Sequence, residues 1–327
     1  MWLLLSFHSR EMNCHQFQLD LDTSTPAISE SCSTWNLCRL FSFNEIKAAT
    51  GNLDDNFIIG KGRFFNVYKG FIEDTATTTT VAIKIVKMSS SSGVRKFLNR
   101  IKMLSQVRHL NLVSPIGYCD EGQQMILVYD YMVHGSLHDH LYNSKNNITL
   151  TWKRRLQICL GVAVGLHYLH MGNEYNPVMH RGVNSTNILL DEKWVAKVSF
   201  GPRYIELRRS TAEDDVHYMG VVLFEVLFAK PEEPINLDKC VEFCKREGTL
   251  MEKVQPLLGD DTKPYIDSNL YNQIAPKCLN KFVETALSCI NEEQSKRPAM
   301  NDVVRSLEFA MQLQVAEDKG GRTASLH

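Results

Sequence analysis

Four short segments carry residue types that could handle phosphate. Gly60-Lys61-Gly62 runs into Val67-Tyr68, and Val81-Ala82-Ile83-Lys84 follows it. Glycines let a backbone approach anionic oxygens closely, and a lysine on the next strand supplies a point charge for them. Further along stand Met179-His180-Arg181-Gly182-Val183-Asn184-Ser185-Thr186-Asn187 and Ser199-Phe200-Gly201. Phosphoryl transfer needs one carboxylate to take the proton of the attacking hydroxyl and another to hold magnesium on the phosphates. Neither segment contains an aspartate or a glutamate. In the H-R-D-x-x-x-x-N spacing, Gly182 falls at the base position. Asn187 could ligand a metal, but one neutral amide does not replace an ionised carboxylate around a hard dication.

The elements that must position these segments can be read from periodicity. Phe41 to Thr50 has an amphipathic helical pattern. Asn56 to Lys69 alternates as strand-turn-strand, and Val81 to Val86 is a short strand. The threonine-rich run Thr75 to Thr80 between them reads as a hairpin loop. Phe97 to Val107 repeats apolar residues at helical spacing, and Ile126 to Tyr129 is a buried strand. From Ser136 onward helices dominate: Leu156 to His170, Val216 to Phe228, Leu279 to Ile290 and Met300 to Leu313. A strand-rich first third followed by a helical remainder predicts two lobes. The expected division is a flexible tail over 1–38, a first lobe over 39–132, a second over 133–313, and a frayed tail over 314–327.

Composition narrows the classes. The chain has 327 residues, 44% of them hydrophobic, which is ample for a two-lobed core. The net charge of -1 offers no basic field for nucleic acid or an anionic membrane. Nine cysteines are scattered, and Cys240 and Cys244 match neither a zinc pair nor a redox pair. The apolar start at Met1 to Phe7 is too short for a signal peptide, and no stretch approaches the ~20 apolar residues of a membrane span. The expectation is a soluble, cytoplasmic protein with reduced thiols.

Together these segments resemble a protein kinase, and over residues 39–313 the intracellular domain of plant malectin-like receptor kinases of the FERONIA type. The resemblance rests on Phe41 to Thr50, Ile116 to Glu121, Leu127 to Met132, Thr186 to Lys193 and Leu307 to Leu313. It implies an α+β bilobal fold with a small β-rich N-lobe and a larger helical C-lobe. It also implies ATP in the cleft, Ser/Thr specificity, and a hinge near Tyr129 to Met132 whose backbone would meet adenine. Gly60, Gly62, Val67, Ala82, Lys84, Tyr129, Asp130, Met132 and Asn187 match nucleotide-site positions of that family.

The departures from the family pattern are as specific as the matches. Phe65 replaces the third glycine of the phosphate loop. Arg100 stands at the helix position that normally pairs with the strand lysine, so Arg100 and Lys84 are expected to point apart. Asn184 replaces the loop lysine that steadies the γ-phosphate, and Ser199 stands where the metal aspartate is missing. Only Pro202 to Asp214 separates Gly201 from Asp215-Val216-His217-Tyr218-Met219-Gly220, which resembles the start of a large C-lobe helix. The activation segment is shorter than the family pattern by about thirty residues. Arg297 and Arg181 are thereby expected to lose their usual partners.

Three readings follow. The leading one is a pseudokinase that serves as a signalling scaffold or allosteric partner of other protein kinases or receptor proteins, recruited to the plasma membrane by such a partner. ATP then fits the site and Mg2+ fits poorly. The second is an active ATP-dependent Ser/Thr kinase, for which Asp191 or Glu192 would have to act as base from a turn distant from the γ-phosphate. The third is a decayed or mis-assembled gene copy without function.

Overall fold

Alternation of side chains decides the first lobe. Along Phe65–Glu73 and Thr78–Val86 the residues facing one side are Tyr68, Gly70, Val81 and Ile83, all buried, while their neighbours face the other side. The computed structural model describes residues 38–62, 65–73, 77–87, 103–121, 124–142, 149–172, 177–200, 211–229, 235–247, 266 and 268–324. Its elements are β1 (Arg39–Leu40), α1 (Phe43–Ala49), β2 (Ile58–Gly62), β3 (Phe65–Glu73), β4 (Thr78–Val86), β5 (Pro115–Cys119) and β6 (Met125–Asp130). Then come α2 (Leu137–Tyr142), α3 (Trp152–Met171), β7 (Ile188–Leu190), β8 (Ala196–Val198), α4 (Ala212–Phe228), α5 (Leu237–Glu247), α6 (Ser268–Tyr271), α7 (Pro276–Cys289) and α8 (Met300–Ala324).

The first six strands form one sheet in the order β1-β5-β6-β4-β3-β2, antiparallel except for the β1–β5 pair. Helix α1 starts at a capping box: the Glu45 carboxylate accepts from the Ser42 amide at 2.7 Å, and the Glu45 amide donates to Ser42 Oγ at 3.2 Å. It buries Ile46 and Ala49 against β3. Phe41, Val81, Ile83, Ile126 and Val128 complete this small core.

The hairpin between β3 and β4 is tighter than the threonine run suggests. Thr78, Thr79 and Thr80 lie on β4 opposite Glu73, Ile72 and Phe71. Threonine is β-branched and suits a half-exposed strand, so pairing wins over loop composition.

The sheet ends at Asp130, and the chain crosses to the helical lobe through a turn. Gly135 has φ +65°, and its amide donates to the Met132 carbonyl at 3.1 Å. The turn is tied below by His134 N to Leu190 O at 3.1 Å and by Leu190 N to Gly135 O at 2.9 Å. The second lobe is built around α3 and α4, whose Leu156, Val162, Leu166, Met219, Leu223 and Val226 are buried. Arg155 is buried as well; its Nη1 donates to Val226 O at 2.6 Å and its Nε to Leu150 O at 3.2 Å. This is the protein-kinase architecture, a β-sheet lobe joined to a helical lobe.

Helix α8 continues through Ala324, beyond the expected frayed boundary at Gln314. Gln314 is itself buried. Its Oε1 accepts from Ala275 N at 2.9 Å and its Nε2 donates to Gln273 O at 3.0 Å. The helix is fastened at this amide, and residues 316–320 beyond it are exposed on every side. Helices α2 and α5 are further elements that periodicity did not single out. Of the helix expected over Phe97 to Val107, residues 103–106 are helical, and 97–102 lie outside the described residues, as does the 1–37 stretch.

Candidate functional site

Between the lobes lies a cavity of about 1010 Å3. Strands β3 and β4 form its roof. Val67 stands directly opposite Lys84, and Ala82 precedes Lys84 by two residues, so all three face the cleft with Phe65. Gly60 lines the cavity from β2, and Tyr129, Asp130 and Met132 line it from the end of β6 and the crossing. Gly182, Asn184, Asn187, Leu189, Ser199 and Phe200 form the floor. Of the residues the sequence assigns to a nucleotide, Gly62 alone is not in the lining. It packs on Phe65 instead: a Cβ added at Gly62 would run into the Phe65 ring.

Phe65 changes the roof. Its ring lies over the Lys84 ammonium, 4.3 Å from nitrogen to ring centroid, well inside cation–π range. The expected divergence of Lys84 from Arg100 lies outside the described residues, since Arg100 is among those not described.

The floor is held by one buried carboxylate. Asp215, on the first turn of α4, has no exposed surface. Its Oδ2 accepts from His180 N at 2.7 Å and its Oδ1 from Arg181 N at 2.7 Å, and His170 Nε2 lies 3.0 Å from Oδ2. This grip fixes Arg181 at φ +67° and Gly182 at φ +137°. An L side chain rarely adopts the second value, so glycine suits the backbone at the base position.

The remaining loop side chains close on one another. Asn184 Oδ1 accepts from Thr186 N at 3.0 Å. Asn187 Oδ1 accepts from Asn184 N at 3.0 Å, and its Nδ2 donates to Gly182 O at 2.8 Å. Ser199 N donates to Asn187 O at 2.8 Å, and His180 Nε2 lies 3.0 Å from Ser199 O. Phe200 is buried and stacks on His180 with centroids 5.1 Å apart. Gly201 and residues 202–210 lie outside the described residues.

Magnesium fits this donor set poorly. Among the described residues, the carboxylates lining the cavity are Asp130 and Asp139, both at the hinge end. Asp139 Oδ2 already accepts from the Ser136 amide at 3.1 Å and hydroxyl at 2.6 Å. On the floor the oxygen donors among the described residues are the hydroxyls of Thr186 and Ser199 and the amides of Asn184 and Asn187, which already accept hydrogen bonds, whereas magnesium on a nucleotide calls for carboxylate ligands there. Asp191, a conceivable substitute base, is used by the β7–β8 turn: its Oδ1 accepts from Lys193 N and Val195 N, each at 2.9 Å.

Two further arrangements were not foreseen from sequence. Glu225 sits beneath the floor, and its Oε1 accepts from Ser185 Oγ at 3.1 Å and Tyr142 OH at 3.3 Å. Burial pushes its carboxyl above the usual range, against the opposing effect of these hydrogen bonds. The signal was available as a lone acid inside the apolar run Val221 to Phe228. Arg297, expected to lack its partner, has others: Nη1 donates to Glu213 O at 3.1 Å, Nε to Asn291 O at 3.0 Å, and Asp214 Oδ1 lies 3.9 Å away. The first turn of α4 and the Asn291 carbonyl thus hold this guanidinium.

With this geometry in place, likeness to known proteins can be stated. The protein tyrosine and serine/threonine kinase family matches residues 54–202. The chain is 42% identical to receptor-like protein kinase FERONIA of Arabidopsis thaliana, over 98% of this chain and 37% of that protein. Receptor-like protein kinases ANXUR1 and ANXUR2 of the same plant are 44% and 45% identical, each over 86% of this chain and 35% of theirs. The chain therefore spans just over a third of the length of these relatives. A solved apo pseudokinase superposes with a TM-score of 0.69 at 24% identity, covering 84% of this chain and 97% of that one. At that identity the likeness speaks for the fold.

Proposed function

The chain belongs to the receptor-like protein kinase family of the FERONIA and ANXUR type, and we propose that within it this domain is a pseudokinase that signals by binding rather than by phosphoryl transfer. The observation that carries the reading is Gly182, held at φ +137° where the proton acceptor of a kinase belongs, with Ser199 in place of the second carboxylate. Loss of a general base typically costs about 10²–10⁴ in rate, and loss of the metal carboxylate adds to that, though not additively. The two-lobed fold around these positions is kept, which supports a role that needs the shape of the fold.

Under this proposal Gly60, Val67, Ala82, Tyr129, Asp130 and Met132 enclose a nucleotide-type ligand, and Lys84 marks the former phosphate end. The domain works on the cytoplasmic side as a scaffold or allosteric partner of another protein kinase or receptor protein, recruited by it to the plasma membrane.

Transfer of labelled γ-phosphate to the chain itself and to a general protein substrate tests the catalytic half. The expected outcome is no transfer above background. Transfer that disappears in Lys84→Ala would overturn the reading. Titration against an active receptor-kinase domain tests the binding half, and absence of any complex at micromolar concentration would count against it.

A further inference from the structure

We infer that the cleft recognises a nucleoside through its base and sugar and is indifferent to its phosphates, because Phe65 stands where a phosphate would have to reach Lys84. The inference rests on the degenerate-kinase reading of the cleft and names the ligand class that this cleft accepts.

The pleat forces the arrangement. Phe65 and Val67 share one face of β3, and Val67 pairs with Lys84 on β4. Any side chain at position 65 therefore lands on the cleft face, diagonal to Lys84. The phenyl ring fills that place, 4.3 Å over the ammonium, and packs against Gly62. A phosphate oxygen approaching Lys84 meets an ammonium that the ring already engages on one side.

Among the described residues, the metal that would otherwise carry phosphate charge finds no carboxylate at that end. The cavity carboxylates among the described residues, Asp130 and Asp139, lie at the hinge, where they favour hydrogen-bond donors such as sugar hydroxyls and disfavour anions. Val67 and Ala82 above and Leu189 below leave an apolar slot for a flat ring. An apolar slot, acceptors beside it and a lysine already engaged by a ring favour a ligand held by its base and sugar; Lys61 and Arg181 also line the cavity, and titration with ADP and ATP tests whether they hold phosphate.

Calorimetric titration of the purified chain with adenosine, ADP and ATP, each in EDTA and again in excess Mg2+, decides the matter. The expected result is binding of all three with dissociation constants less than about tenfold apart, a gap of 1.4 kcal/mol, and no tightening by Mg2+. ATP binding about tenfold or more tighter than adenosine in either buffer would overturn the inference, as would adenosine that does not bind. Phe65→Gly should restore the phosphate contribution, so that ATP exceeds adenosine by about tenfold or more, and Lys84→Ala added to that variant should abolish the gain. The comparison on the unsubstituted protein stands even if a variant fails to fold. Phosphate transfer assayed on the same preparation separates the two claims: transfer sinks the proposed function, whereas tight ATP binding without transfer sinks this inference alone.

Discussion

The ammonium of Lys84 and the ring of Phe65 are 4.3 Å apart on the cleft face of the sheet. In a kinase the third glycine of the loop leaves this space open to phosphate; here an aromatic residue fills it. Strands β3 and β4, the hinge and the floor surround the change. The site departs from the kinase pattern at single side chains such as Phe65 and Gly182 as well as through the shortened segment after Gly201.

Gly182→Asp alone should not restore phosphate transfer. The backbone at φ +137° resists an L side chain, at a cost of about 1–3 kcal/mol, and the metal ligands are still missing. Urea unfolding should show the loss of stability. Measurable transfer by this single variant would show that the loop relaxes without penalty.

Asp215→Asn should loosen the floor. The amide offers one acceptor and turns an N–H group toward a loop N–H that now donates to a carboxylate. A loss of about 3 kcal/mol is expected, with faster hydrogen exchange at His180 and Arg181. Unchanged exchange at those two amides would contradict the anchoring role.

Glu225→Gln should stabilise the protein at neutral pH. Burial raises this carboxyl, so the folded state holds its proton more tightly than the unfolded chain does. The stability linked to that proton is fully present below the unfolded value and is lost as pH rises through the folded one. Oε2 is buried with no hydrogen bond among the described residues, and glutamine retains the Oε1 acceptor for Ser185 and Tyr142. The melting temperature of the variant should exceed that of the parent at pH 7, with the gap closing toward pH 4.5. A lower melting temperature at pH 7 would show that the charge is needed.

Gln314→Ala should cost about 1–3 kcal/mol, because it strips partners from the Ala275 amide and the Gln273 carbonyl. Chemical unfolding measures it. An unchanged midpoint would mean that α8 is held by its apolar face alone.

The local strings were legible because the chemistry they encode is local. Gly60 to Lys84, His180 to Asn187 and Ser199-Phe200 each read off a few consecutive residues, and the two-lobed architecture followed from the change of period near Tyr131. The partnerships of single polar groups were not legible. Arg297 meets Glu213 across 84 residues, and Asp215 meets His180 across 35. No window of sequence contains both ends of such a bond. The threonine run misled because composition spoke for a loop while β-branching and the register against Phe71 to Glu73 spoke for a strand. The Phe65–Lys84 contact lies between these cases. The alternation of β3 places Phe65 on the same face as Val67, but the pairing of Val67 with Lys84 had to come from the fold.

Asp215 also bears on how the chain reaches its native state. Its carboxylate is fully enclosed, and its contacts come from residues 34 to 45 positions away. A partly assembled helical lobe would hold this charge in an apolar interior before those donors arrive, a costly state. Near-native competitors that dock α3 or the 180–187 loop out of place are penalised by the same ion. The residue thus acts as a checkpoint on assembly: it is tolerated in the finished lobe and disfavours the almost-finished ones, so the floor of the cleft and the packing of α4 should form in one cooperative event.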